Sequence, residues 1–148
     1  MPPTSSPVLF SCGKVALDRA RIRAFARRLR DEVAAGRAFT CLIARDGELH
    51  RLNRQFLNKD YPTDVLSFPT GARDGMLGEL AISVDRAEAQ ASHQGHSLED
   101  EIRILMLHGV LHLTGMDHEG DRGRMRRIET RWRKSFELPA GLIERARK

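Results

Sequence analysis

The chain has 148 residues, of which 41% are hydrophobic and 30% are charged, as in an ordinary soluble domain and unlike a disordered chain or a disulfide scaffold. Its formal charge is +5, and arginine supplies 21 of its 25 basic residues, which favours an anionic partner because guanidinium groups match phosphate geometry. No apolar run approaches the roughly 18 residues that a membrane span needs, and the N-terminal stretch lacks a signal-peptide pattern. We therefore expect one cytoplasmic domain over residues 1–148.

Hydrophobic patterns predict that strands and helices alternate along the chain. The first half is predicted to contain a strand at 8–12, a helix from Leu17, a strand at 39–44, a turn at Asp46-Gly47 and a helix from Leu49. The second half adds a strand at 65–68, a glycine-rich loop at 71–78, a strand at 79–84 and a helix from the cap Asp85 through Gln90, which Gly95 ends. Prolines close to 65–68 predict that this strand lies at a sheet edge or a strand end.

The best-defined helix is predicted to begin after Ser97, a typical N-cap residue that is followed by acidic residues in the first turn. From Ile102 to Leu113 it is apolar on nearly every side, which predicts a central buried helix. A last amphipathic helix carries Met125, Ile128, Trp132 and Phe136 and is expected to end near Pro139.

Two histidines lie on the predicted buried helix. His108 and His112 are four residues apart, so their side chains project from one face with Cβ atoms about 5–6 Å apart. Gly115 can end the helix and let the chain turn back, which would bring His118 towards the same point. Three imidazoles with an open fourth position are a catalytic zinc pattern, whereas structural zinc sites usually have four ligands rich in cysteine. The spacing predicts one metal ion per chain, held by these three residues. Zinc is the expected metal, although imidazole also suits nickel, copper and iron.

The other histidines, His50, His93 and His96, lack such a spacing, and we expect them at the surface. The spacing of the three ligands also reproduces that of the metzincin proteases, H-E-x-x-H-x-x-G-x-x-H. Gly109 stands where those proteases have the glutamate that acts as general base. The missing carboxylate argues against peptide hydrolysis.

The segment 108–118, H-G-V-L-H-L-T-G-M-D-H, resembles the signature of the YbeY family, endoribonucleases also called ribosomal RNA maturation factors. A second block at 62–69, P-T-D-V-L-S-F-P, resembles another motif of that family. The resemblance implies an α+β fold in which a small mixed β-sheet packs against several helices, a zinc ion on the three histidines, and cleavage of single-stranded RNA. It also implies a role in small-subunit rRNA maturation and ribosome quality control, with the small ribosomal subunit and the GTPase Era as partners.

The chain departs from the family pattern at one position. Members usually have an arginine directly after an aromatic residue before P-T-D-V-L-S-F, whereas here Phe56 is followed by Leu57. Arg54 and Lys59 are candidates to supply the missing charge, although a lysine cannot reproduce a guanidinium fork. Asp64 is a further candidate substrate-binding residue, with a turn carboxylate as the alternative.

The resulting hypothesis is metal-assisted phosphodiester hydrolysis, in which zinc activates water or polarises a phosphoryl oxygen. Asp117 is the candidate proton acceptor, or else a carboxylate that orients a ligand, which is favoured because metal-bound histidines usually donate to carboxylates or carbonyls. Two alternatives stay open. One is a non-catalytic RNA-binding ribosome assembly factor with a structural metal site, and the other is a different zinc hydrolase.

Overall fold

The computed structural model describes residues 7–57, 63–69, 76–116 and 121–143. In chain order its elements are β1 (Val8–Ser11), α1 (Arg19–Arg28), a π-helical turn (Leu29–Val33), β2 (Ala38–Ala44), α2 (Asp46–Leu57), β3 (Val65–Pro69), β4 (Met76–Ser83), α3 (Val84–Gln94), α4 (Leu98–Leu113) and α5 (Arg124–Ser135). Among these helices, none combines the length and the apolar character needed to cross a membrane.

The four strands form one sheet in the order β1-β2-β4-β3. The β1–β2 and β2–β4 pairs are parallel, and the β3–β4 pair is antiparallel. The sheet is therefore mixed, and the predicted α+β fold is confirmed. β3 is an edge strand, as its neighbouring prolines predict, because proline has no backbone N–H to donate to a neighbouring strand.

Helix α4 lies in the main core, where Ile102, Leu105 and Met106 are completely buried. Large aliphatic side chains of this kind each contribute about 1.5–3 kcal/mol on burial. The side chains of β4 alternate between two clusters, because successive residues of a strand point to opposite faces. Leu80 joins the core that contains α4, while Ala81 joins a smaller cluster to which α2 contributes Leu49 and Leu52. The sheet thus separates α2 from α4.

Two predicted helix boundaries are wrong because the side chains that cap α2 and α3 are not the ones expected from the sequence. Asp46 begins α2 instead of forming a turn, and its backbone N–H donates to Asp85 Oδ2 at 2.7 Å. Asp85 does not cap its own helix. Ser83 does, with its Oγ accepting from the N–H of Arg86 at 3.2 Å. Two other predictions are confirmed: α3 ends at Gly95, whose backbone is in the left-handed conformation, and Ser97 is the N-cap of α4.

β4 begins at Met76, inside the region predicted as a loop. Gly78 allows this because its φ of +155° is unfavourable for other residues. A Cβ there would lie 2.6 Å from the carbonyl oxygen of Phe68 and 2.7 Å from a methyl group of Leu113. Glycine is therefore required where β3, β4 and α4 meet.

His96 is not a surface residue, contrary to the prediction. Its side chain is only 10% exposed, and its Nε2 lies 2.6 Å from Oε1 of the fully buried Glu101. His93 is exposed as expected, and His50 is partly buried. The His96 contact joins the loop after α3 to α4, which explains its burial without a role in the metal site.

Candidate active site

A cleft of about 420 Å³ opens at the β3 edge of the sheet. Helix α2 contributes Asn53 and Leu57 to its wall, and α4 contributes His108 and His112. Asp64, next to β3, also lines it. The edge strand therefore brings the two histidines of the buried helix within reach of a ligand in solution.

The two imidazoles converge inside this cleft. Their Nε2 atoms lie 3.1 Å apart, and the ring planes are inclined by 75°. The other nitrogen of each ring has an acceptor on the opposite side. His108 Nδ1 lies 2.6 Å from the Oε2 atom of Glu129, and His112 Nδ1 lies 2.8 Å from the carbonyl oxygen of Met116.

These acceptors assign the tautomer of each neutral ring, because a carboxylate or a carbonyl oxygen requires a proton on the nitrogen that it faces. Both Nδ1 atoms are therefore donors, and both Nε2 atoms carry lone pairs that face one another. Lone pairs at 3.1 Å repel unless a cation is shared between them. Borderline-soft imidazole nitrogens suit zinc, and outer acceptors of this kind usually accompany metal-bound histidines. The residues present thus fit the expected metal.

Glu129 is the functional residue that the sequence interpretation missed. It lies on α5, is 1% exposed, and accepts from the N–H of Ile143 at 3.0 Å through the oxygen that does not face His108. A detectable signal existed, since position 129 lies four residues after Met125 and three before Trp132 and so falls on the apolar stripe. A carboxylate on a buried stripe requires a partner, which here is the imidazole of His108.

Gly109, between the two histidines, faces the sheet instead of the cleft. A Cβ there would lie 2.7 Å from a methyl group of Leu80. The carbonyl oxygen of Gly109 accepts from Ser67 Oγ at 3.3 Å, which holds α4 against β3. The position therefore has no space for the glutamate of a metzincin protease.

Of the other predicted site residues, His118, Asp117 and Lys59 lie outside the described residues. Asp64 accepts from the Gln90 side chain at 3.3 Å. Arg54 is exposed and lines a separate groove on the outer side of α2. Within the described ranges, no group of three histidine, cysteine or acidic residues has the arrangement of a metal site. The roles predicted for these residues remain predictions.

Leu57 lies in the cleft with the histidines, and its side chain is 40% exposed. The preceding residue, Phe56, lies outside this cleft and contacts the edge of the Phe68 ring with 6.0 Å between centroids. Leu57 is therefore a wall residue of the cleft, at the position where the family pattern has an arginine.

Fold and site together define an α+β protein with a paired-histidine cleft at the sheet edge, a framework suited to hydrolysis. Residues 13–137 match the family model described as Endoribonuclease YbeY. The chain is 59% identical over 143 residues to the endoribonuclease YbeY of Solibacter usitatus, covering 97% of this chain and 96% of that protein. It is 52% identical over 107 residues to the endoribonuclease YbeY of Koribacter versatilis, covering 72% and 70%.

The fold also matches a solution structure of a protein from Thermotoga maritima, with a TM-score of 0.57 and 25% identity over 84% of this chain and 85% of that one. The chain belongs to the endoribonuclease YbeY family. It is accordingly a hydrolytic nuclease with RNA as its substrate. This membership favours the enzyme over a non-catalytic assembly factor and over a hydrolase of small molecules.

Proposed function

We propose that this protein is a zinc-dependent endoribonuclease that cleaves single-stranded RNA during small-subunit rRNA maturation and ribosome quality control. The convergence of His108 Nε2 and His112 Nε2 at 3.1 Å, each ring held from behind, is the observation that supports the metal. Family membership supports the RNA substrate. The small ribosomal subunit and Era are the proposed partners, and the cytoplasm is the proposed location.

In this proposal His108, His112 and His118 hold one zinc ion, which supplies an activated water molecule and an electrophile for a phosphoryl oxygen when it is bound. Glu129 and the Met116 carbonyl fix the tautomer and orientation of the two rings on α4. Their contacts leave the Nε2 lone pairs directed to one point. This preorganisation avoids rotating the rings when the substrate binds.

Other residues are proposed to accept the proton and to stabilise the charge of the reaction. Asp117 is the proposed proton acceptor or orienting carboxylate. Arg54 and Lys59 are the proposed phosphate-binding cations, and Asp64 is the acidic residue that lines the cleft. Leu57 adds no charge there, so the cleft relies on the metal and on these residues to stabilise the phosphoryl group.

Metal analysis and RNA cleavage on the same preparations test the zinc proposal. Purified protein should carry close to one zinc ion per chain and cleave a labelled single-stranded RNA, and a chelator should abolish cleavage. His112→Ala should lose both the metal and the activity. His93→Ala, at an exposed histidine outside the cleft, is the matched control and should keep both. Equal metal contents in the wild-type protein and His112→Ala would exclude this site.

The ribosomal part of the proposal needs a test in cells. Depletion of the protein should cause small-subunit rRNA precursors with unprocessed ends to accumulate, and the wild-type gene should reverse this whereas His112→Ala should not. Binding of purified Era can be measured by co-sedimentation. Normal rRNA ends in depleted cells would reject the maturation role while leaving the nuclease activity in place.

A further inference from the structure

Helix α5 carries a large excess of positive charge, as does α1, in which five of ten residues are arginine and none is acidic. Six of the twelve residues of α5 are basic and one is acidic, a balance of +5 that equals the formal charge of the whole chain. The remaining 136 residues contain 19 basic and 19 acidic side chains. The single acidic residue of α5, Glu129, is buried against His108 and leaves no negative charge on the outer surface of the helix.

Four of the basic residues form a stripe along α5. Arg124, Arg127, Arg131 and Lys134 follow one another at intervals of three or four residues and are all exposed, so they share one side of the helix. The stripe lies opposite the buried positions Met125 and Glu129 and extends for about 15 Å, because an α-helix rises 1.5 Å per residue. We refer to these four residues as the α5 stripe.

The α5 stripe differs in its ion pairing from several arginines on other elements of the described chain. Arginines on other elements, such as Arg28, Arg51 and Arg86, pair with nearby carboxylates. In the part of the chain that the structure describes, no side chain of the stripe forms an ion pair. Arg127 donates one hydrogen bond to the carbonyl oxygen of Arg122, which leaves most of its donors available.

The stripe is also close to the candidate active site. The buried side of α5 contacts His108 through Glu129 at 2.6 Å, and an α-helix with its side chains is about 10–12 Å in diameter. The α5 stripe, on the opposite side of this helix, therefore lies about one helix diameter from the contact between Glu129 and His108. Cationic side chains in a row along an exposed surface match the phosphates of an RNA strand.

We propose that the α5 stripe binds the phosphate backbone of the substrate RNA beside the cleaved bond. This inference rests on the RNA substrate of the proposed function. The stripe gives no base specificity, because it offers only charges and guanidinium donors. It raises the affinity for RNA that is long enough to occupy both the cleft and α5, and it does not act on short RNA that occupies the cleft alone.

The test removes three charges of the stripe without changing helix propensity, in Arg124→Gln/Arg127→Gln/Arg131→Gln. The matched control removes three exposed charges at the N-terminal end, in Lys14→Gln/Arg21→Gln/Arg27→Gln. Binding of a labelled single-stranded 20-mer RNA is measured by fluorescence anisotropy at several salt concentrations. Cleavage of the same 20-mer and of a short oligonucleotide that fills only the cleft is measured in parallel, together with zinc content.

The stripe variant should bind the 20-mer at least about tenfold more weakly, and the slope of log K against log salt should fall by about 2, since each lost phosphate contact on a single strand contributes about 0.7. KM for the 20-mer should rise while kcat, zinc content and cleavage of the short oligonucleotide stay unchanged. The control variant should keep the wild-type salt slope. Equal salt slopes in the stripe variant and the wild-type protein would overturn the proposal.

Two further outcomes separate this inference from the proposed function. If the stripe variant keeps its RNA affinity but loses binding to small-subunit proteins, the stripe binds a protein and the inference is wrong. If the wild-type protein cleaves no RNA, the proposed function fails, and the salt slope still decides whether the α5 stripe binds RNA.

Discussion

Glu129 can be separated experimentally from the metal ligands because it touches His108 without lining the cleft. Its carboxylate accepts from two N–H donors on opposite sides, the His108 ring and the Ile143 backbone. Glu129→Gln keeps the size of the side chain, but its amide can serve only one of these donors with an oxygen. We expect the zinc affinity to fall about 10–100-fold, the usual effect of losing an outer partner of a metal-bound histidine.

Competition with a chromophoric chelator measures this change directly. Glu88→Gln, on the exposed surface of α3, removes the same charge without touching the site and should leave the affinity unchanged. A Glu129→Gln protein that binds zinc as tightly as the wild-type protein would show that Glu129 only fills the core.

A substitution at Leu57 should raise the catalytic rate. It lines the cleft and is 40% exposed, so an arginine introduced there can reach solvent and the phosphoryl group without being buried. An oriented charged donor typically provides about 2.7–4 kcal/mol of transition-state stabilisation. Leu57→Arg should therefore raise kcat/KM on single-stranded RNA, by up to about 10²- to 10³-fold, with the metal content unchanged.

Single-turnover cleavage and a thermal melt on one preparation test this expectation. Leu57→Gln lengthens the side chain without adding charge and should give little gain. Lys59→Ala should lower the rate if that lysine supplies the charge. No gain in a folded, zinc-loaded Leu57→Arg protein would mean that the missing arginine does not limit catalysis.

At the scale of elements, the contact between α4 and the sheet depends on Gly109. Alanine there would place its Cβ 2.7 Å from a buried Leu80 methyl group. Overpacking of a core contact costs about 1–3 kcal/mol, so we expect Gly109→Ala to lower the free energy of unfolding in urea by a net amount of up to about 2 kcal/mol. The cost should exceed the gain of roughly 0.5–1 kcal/mol that alanine brings to a helix interior.

Gly47→Ala is the matched control, because a Cβ at this helical position meets nothing within 4 Å. It should leave stability equal to or above that of the wild-type protein. Gly109→Ala with wild-type stability would contradict the close packing. Because this packing leaves no space for a general-base glutamate at position 109, we also expect the wild-type protein to show no peptidase activity on generic peptides.

At the scale of the whole molecule, the sequence predicts best what depends on local spacing. α4, its cap Ser97 and the pairing of His108 with His112 follow from intervals of three and four residues. The edge position of β3 follows from the chemistry of proline. These features need no knowledge of the tertiary structure.

Two of the features that the sequence interpretation missed depend on contacts between distant segments. Asp85 caps α2 from 39 residues away, and Glu129 holds His108 from 21 residues away. His96 is buried because Glu101 lies beneath it. A hydrophobic period places such residues on a helix or strand but does not identify the partner across the interface, because polar partners leave no periodic signal.

The last prediction concerns metal removal and the stability of the entire domain. Two of the expected ligands lie on α4, and α5 contacts one of them through Glu129. Zinc that binds only the folded chain should therefore stabilise the whole domain against unfolding. Zinc at 100 times its Kd adds about 2.7 kcal/mol, and a domain of this size gains about 2–4 °C in Tm per kcal/mol. Zinc-loaded protein should therefore melt about 5–10 °C above the chelated protein, with a shift that grows with zinc concentration. Calorimetry at several zinc concentrations measures this, and magnesium, which prefers oxygen ligands, should produce no shift. His112→Ala should melt at one temperature with or without zinc. A zinc-dependent shift in His112→Ala equal to that of the wild-type protein would place the stabilising ion somewhere other than the paired histidines.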